Sequence, residues 1–156
     1  MVTAYIALGA NLGDASQAIH RAVAAINALP QCSVKKTSSL YKTAPLETVP
    51  GHEPGGDYVN AVVAIETNLP APILMLHLQQ IERAAGRERP YANAPRTLDL
   101  DLLLYGNGRV DLPHLTVPHP RMWTRAFVLV PLAEIAPEKV LPEQLERVQD
   151  QLITRL

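Results

Sequence analysis

The chain has 156 residues, so it is expected to form one domain, 1–156, large enough to bury a core without disulfides or a structural metal. Hydrophobic residues make up 47% and charged residues 19%, which excludes a disordered chain, and the net charge of -1 argues against a long nucleic-acid backbone as the main partner. Within that neutrality stand ten Arg against four Lys, and fourteen Pro beside a single Phe and a single Trp. Arg suits forked recognition of phosphate or carboxylate.

Residues 2–8 alternate small and large apolar groups up to Gly9 and predict a strand. After the turn from Gly9 to Gly13, Asp14 or Ser16 can cap a helix that buries Ile19, Ala22, Val23, Ile26 and Leu29 and stops at Pro30. A more polar strand is predicted over 33–41 and a β-branched one over 59–67. Pro72 suits the first turn of a helix that buries Ile73, Leu76, Leu78 and Ile81 and ends at Gly86. A further strand covers 98–105. Residues 121–135 read as helical in part, with Pro131 expected to kink or break them. From Pro142 a short closing helix carries Leu145, Val148 and Leu152 on one face.

This interleaving predicts an α+β, ferredoxin-like sandwich, a largely antiparallel sheet with helices packed on it, rather than a doubly wound sheet. Two long connections, 42–57 and 86–97, are rich in proline and are expected to be lids or binding loops, with plain surface insertion as the alternative. Cys32 is the one cysteine, so a cytoplasmic chain without disulfides is expected. The N-terminus has no basic stretch ahead of an apolar one, and the apolar run 126–133 is far shorter than a membrane span.

The sharpest local feature is the segment from Pro95 to Tyr105. On a strand, Asp99 and Asp101 project to one side and Leu98, Leu100, Leu102 and Leu104 to the other. Two carboxylates at i and i+2 stand roughly 6.5–7 Å apart, a spacing that suits a pair of hard cations sharing oxygens with a polyphosphate. An ionised pair in an apolar strand is costly unless cations compensate it; acids facing solvent or pairing with Arg96 are the alternative. Arg83, Arg87, Arg89 and Arg96 precede this strand, and their forks match phosphate oxygens, although Arg83 has local partners in Glu82 and Glu88. Downstream, His119 sits between two prolines, with Arg125 and Phe127 at the start of an apolar helix. The chain has no Gly-x4-Gly-Lys-Ser/Thr phosphate loop, no protein-kinase motif set and no Gly-x-Gly-x-x-Gly fingerprint.

Taken in order, Tyr5–Gly13, Ser39–Pro45, Asp57–Ala61, the Arg96/Asp99/Asp101 block, Thr116–His119 and Pro131–Pro137 resemble the 6-hydroxymethyl-7,8-dihydropterin pyrophosphokinases of folate biosynthesis. The resemblance covers nearly the whole chain. It implies transfer of diphosphate from ATP to a pterin alcohol by in-line attack on the β-phosphorus, with AMP leaving. Asp99 and Asp101 would hold two Mg²⁺, and Arg87 and Arg96 would contact the phosphates. Gln79, Glu82, Arg89, Thr116, His119 and Arg125 match the nucleotide-contacting positions. Tyr58 and Phe127 would sandwich the pterin, and Asn60 would bond its polar edge, helped by the backbone of Thr43 and Leu46. Stacking then supplies affinity while an amide reads a donor and acceptor pattern.

Three positions depart from the family's pattern. Asn93 stands where a Trp is common, leaving Tyr91 or Trp123 for lid closure; Pro120 follows the Pro-His pair instead of Tyr; and His114 replaces an Arg. The partners expected are ATP and the pterin alcohol, with neither nucleic acid nor membrane, and a monomer is the default. From other classes, a Mg-dependent phosphohydrolase using Asp99 and Asp101, or a ferredoxin-like small-ligand-binding module, remains open.

Overall fold

The structure, a computed structural model, describes residues 1–11, 14–44, 57–86 and 98–156. Strand β1 (Val2–Ala10) leads to helix α1 (Ala15–Asn27), where Asp14 accepts from the Gln17 N–H at 3.1 Å and so supplies the N-terminal cap. Next come β2 (Cys32–Thr37), β3 (Tyr41–Thr43), β4 (Tyr58–Thr67) and α2 (Ala71–Gly86). The second half holds β5 (Asp99–Tyr105), a hairpin of β6 (Val110–Leu112) and β7 (Leu115–Val117), α3 (Ala126–Ile135), α4 (Pro142–Arg147) and β8 (Thr154–Arg155). Short 3-10 turns at Met122–Thr124 and Pro137–Lys139 flank α3.

Six strands form one sheet in the order β5-β1-β4-β3-β8, with β2 also paired to β4, and every pairing is antiparallel. The two strands on either side of α1 do not pair with each other, since β4 lies between them; this is the split βαβ of a ferredoxin-like α+β fold. Alternation along the strands then makes two cores. Ile6, Leu8, Val63, Ile65, Leu100 and Leu102 face α1 and α2, while Tyr5, Ala7, Val62 and Ala64 face α3. Among the described residues no helix is long and apolar enough to cross a membrane.

Several elements differ from the sequence expectation, each for a local reason. β1 continues through Gly9 to Ala10, because Gly9 pairs with both Asn60 and Asp99. The strand expected over 33–41 is split at 38–40, where the Ser38 hydroxyl accepts from the Val62 N–H at 2.9 Å in place of a carbonyl. The connection after it starts later than Lys42, since β3 runs to Thr43. Helix α2 buries Ala71, Leu74 and Leu78 and leaves Ile73 and Leu76 exposed; apolar residues on more than one face had blurred the stripe.

Pro131 lies inside α3 rather than ending it, and the chain breaks earlier, at the extended Arg125. In α4 and the tail, Val148 is buried but Leu152 is exposed, because the chain turns off to form β8 against β3. Leu104 also leaves the face assigned to it. Tyr5 pairs with Leu104 and Ile6 with Leu102, so Leu103 is an extra residue in β5, and Leu103 and Leu104 both join the α3 core.

Candidate active site

The α3 face of the sheet carries a trough whose floor is set by two small residues of β1. Ala7 pairs with Asp101 and Val62, and Gly9 pairs with Asp99 on one side and Asn60 on the other. Three adjacent strands thus present Asp99, Gly9 and Asn60 in a row, with the outer two roughly 10 Å apart from the strand spacing. A larger side chain at either position would fill this space; at Gly9 a Cβ would come within 3.2 Å of Asn60 Oδ1. The resulting cavity, about 330 Å³, is lined by Ala7, Leu8, Gly9, Thr43, Ala44, Tyr58, Asn60, Asp99, Asp101, Arg125 and Phe127.

The polar groups of the trough are held by one another and by groups at the edge of the sheet. Asn60 donates through Nδ2 to the Thr43 hydroxyl at 2.8 Å, and both residues are buried. Arg125 lies with its guanidinium 5.4 Å from the centre of the Phe127 ring, a cation–π contact that joins charge and ring in one wall. Among the described residues β5 is an edge strand, and groups from α2 and from the segment after β7 bond to it. Glu82 of α2 accepts from the Leu100 N–H at 2.9 Å, between the two aspartates, and the bulged Leu103 carbonyl accepts from the His119 N–H at 2.9 Å.

That second bond brings His119 Nε2 to 4.0 Å from Asp101 Oδ1, beyond hydrogen-bond range. Its Nδ1 accepts from the Arg121 N–H at 3.2 Å. Burial, with the charges of Arg125 and Arg121, holds the imidazole below its ordinary pKa although Asp101 pulls the other way. His119 turns its Nε2 edge toward Asp101.

Asp101 keeps 42% of its side chain in solvent, so the carboxylate stays hydrated. An aspartate this exposed needs no cation to offset its burial, so the apolar character of the strand does not by itself call for a metal. What favours a cation is the donor chemistry, two carboxylates lining one cavity. Such a site fits Mg²⁺, which takes one or two carboxylates and completes its shell with water and phosphate oxygens.

Of the site residues expected from sequence, Thr43, Tyr58, Asn60, Asp99, Asp101, Arg125 and Phe127 meet in the one cavity. Glu82 and His119 stand behind β5. Gln79, half-buried on α2, and Thr116, exposed on β7, do not line the cavity. Leu46, Arg87, Arg89 and Arg96, and with them Tyr91, Asn93 and most of both long connections, lie outside the described residues. Ala7 and Gly9 were missed as site residues; the signal was that the small residues at i and i+2 end in a glycine inside a strand, which marks close approach.

A family model for 7,8-dihydro-6-hydroxymethylpterin-pyrophosphokinase (HPPK) matches residues 5–137. A 2-amino-4-hydroxy-6-hydroxymethyldihydropteridine pyrophosphokinase of Haemophilus influenzae is 47% identical over 156 residues, covering 100% of this chain and 91% of its own. Its namesakes in Pseudomonas aeruginosa and Bacillus subtilis are each 45% identical, over 89% and 85% of this chain and 83% and 77% of theirs. Among solved structures, an HPPK-DHPS in complex with substrates shares the fold with a TM-score of 0.67 over 93% of this chain at 12% identity. Wild-type Plasmodium falciparum HPPK-DHPS with pterin and p-hydroxybenzoate does so with a TM-score of 0.66 over 94% at 14% identity. This chain spans 43% of each of those longer chains. With a family model over most of its length and relatives near half identity, the chain belongs to the 7,8-dihydro-6-hydroxymethylpterin-pyrophosphokinase family.

Proposed function

We infer that the protein transfers diphosphate from ATP to the hydroxymethyl group of 6-hydroxymethyl-7,8-dihydropterin, giving the pterin diphosphate and AMP, a step of folate biosynthesis. The observation that carries this reading is the row Asn60–Gly9–Asp99, which sets an amide able to read a heterocycle's edge and a carboxylate able to hold a cation at opposite sides of one trough. A bicyclic ring with a one-carbon arm, lying from one to the other, brings its hydroxyl to the aspartates.

The division of labour follows from the residues. Tyr58 and Phe127 line the trough and offer faces for stacking, and Asn60 supplies the polar complement. The hydroxymethyl oxygen forms its bond to the β-phosphorus as the bond from that phosphorus to the α-phosphate's bridging oxygen breaks, AMP takes the electron pair, and the alcohol proton passes to solvent. Arg125, at the rim, adds positive charge beside the phosphates; Arg87 and Arg96 have the same task on the strength of the sequence resemblance. Two Mg²⁺ held by Asp99 and Asp101 would supply charge screening for the polyphosphate. Glu82 and His119 fix the strand that carries the aspartates, and with Gln79, Arg89 and Thr116 they are proposed to contact the nucleotide. We further propose one domain over 1–156 acting as a cytoplasmic monomer, in keeping with its single cysteine.

One assay tests the reading. With ATP, Mg²⁺ and the pterin alcohol, AMP should form in step with pterin diphosphate, and none should form without the pterin. Phosphate release in the absence of pterin would point to a hydrolase instead. Pterin binding with no AMP would point to a binding module.

A further inference from the structure

Outside the trough, at the far end of α3, one carboxylate gathers several donors. Glu134 Oε1 accepts from the Tyr41 hydroxyl at 2.6 Å, and Oε2 accepts from the Ser39 hydroxyl at 2.9 Å. The Ser39 N–H lies 3.1 and 3.0 Å from the two oxygens. Among the described residues, the hydrogen bonds from β3 and the turn before it to α3 all converge on this side chain. None of the three residues lines the trough, and the transfer reaction makes no use of them.

The elements joined here are the two that wall the cavity. Phe127 precedes Glu134 by seven residues, two turns along the same face of α3, so it stands about 10 Å away along the axis. On the other side Tyr41 pairs with Asn60, and Thr43, two residues on, pairs with Tyr58 and holds the Asn60 amide. The last residues of the chain support the same strand, since β8 pairs with Tyr41 and Lys42 and the Leu156 N–H donates to the Leu40 carbonyl at 2.9 Å.

We propose that Glu134 is a positioning residue that sets the width of the slot between the Thr43–Tyr58–Asn60 wall and Phe127, and thereby the fit of a flat fused-ring alcohol. This rests on the functional reading above, since a slot of set width matters only if a planar ring occupies it. Glu134 is itself exposed, so its bonds add only a small, pH-dependent contribution to global stability. Their consequence is geometric: losing them lets β3 and α3 drift apart, and a small misplacement is felt strongly by a stacked ligand.

The test compares steady-state constants of E134A, E134Q, Y41F and S39A with the wild-type chain, together with their melting temperatures and the affinity for pterin alcohol measured by ligand fluorescence. Expected for E134A is a KM for the pterin alcohol raised about tenfold, with kcat and the KM for ATP within about twofold. E134Q, which keeps a carbonyl acceptor for Tyr41, should recover part of the loss, and Y41F and S39A should each show a smaller shift in the same direction. An unchanged pterin KM alongside a lower melting temperature would reduce Glu134 to a structural pin, and equal damage to both substrates would count against it as well. If E134A does not fold, Y41F and S39A carry the same comparison. Should the wild-type chain form no AMP, the functional reading fails, while the fluorescence affinities still decide whether Glu134 controls the slot.

Discussion

The side-chain amide of Asn60 donates to the Thr43 hydroxyl across 2.8 Å, while its carbonyl end lies over Gly9, where a Cβ would approach it to 3.2 Å. One neighbour holds the amide by a bond and the other makes room for it. With Asn60 4% and Thr43 9% exposed, water does not replace the bond.

T43V keeps the volume of the side chain and removes the acceptor. A buried amide left unpaired costs about 1–3 kcal/mol, so affinity for the pterin alcohol should fall about tenfold, and T43S should restore it. Titration calorimetry with the pterin alcohol checks this; wild-type affinity in T43V would mean that the amide is held by other means.

G9A tests the opposite neighbour. The added methyl needs Asn60 to give by a few tenths of an ångström, which its bond to Thr43 resists. A several-fold rise in the pterin KM with little change in the KM for ATP is expected, the loss amounting to about 1 kcal/mol. Equal shifts for both substrates would indicate a distorted strand instead.

Asp101→Asn and Asp101→Ala should leave the fold intact, since the carboxylate is partly in solvent and the side chain is no part of either core. Turnover should drop by about a hundredfold or more if the charge holds a catalytic cation. The measurement is AMP formation across a Mg²⁺ titration, with chelation abolishing wild-type activity and Mg²⁺ restoring it. Near-normal turnover in either variant would remove the aspartate from the metal site.

The Glu134 joint should also mark the pH dependence of stability. Burial pushes its carboxyl up, but the hydrogen bonds from Tyr41 and Ser39 and the charge of Arg155 outweigh this and hold it below the ordinary value of 4.5. A depressed carboxylate stabilises the fold fully above that ordinary value and loses its contribution as pH falls through the folded one. Tyr41 is pushed up to about 12 by burial, its bond to Glu134 and that carboxylate's charge, so its contribution is complete below 10 and fades as pH rises toward 12. Ultraviolet titration should find Tyr41 among the tyrosines that ionise late, and denaturant melts should show E134Q with a shallower acid loss below pH 4.5. A wild-type acid slope in E134Q would contradict the assignment.

Much of this was legible in the chain itself. The antiparallel α+β sandwich follows from the order of short strands and two amphipathic helices, and the aspartate pair follows from i, i+2 spacing in an apolar strand. The resemblance in motif order singled out Thr43, Tyr58, Asn60 and Phe127, four positions spread over 85 residues that meet in one cavity. Periodicity failed where the geometry departs from regularity. The extra residue at Leu103 reverses the faces beyond it, apolar side chains all round α2 hide which stripe is buried, and the two-residue β8 is too short to leave a pattern.

By itself, then, the sequence determined which groups are present and, where an element stays regular, which local face each occupies, because side-chain alternation and helix caps depend on near neighbours. Tertiary structure alone decided that Gly9 lies between Asn60 and Asp99, that a bulge carries His119 to Asp101, and that Glu134 ties β3 to α3. Those relations join residues that are not neighbours in the sequence. They come from strand register and from the packing of both sheet faces at once, which no local pattern records.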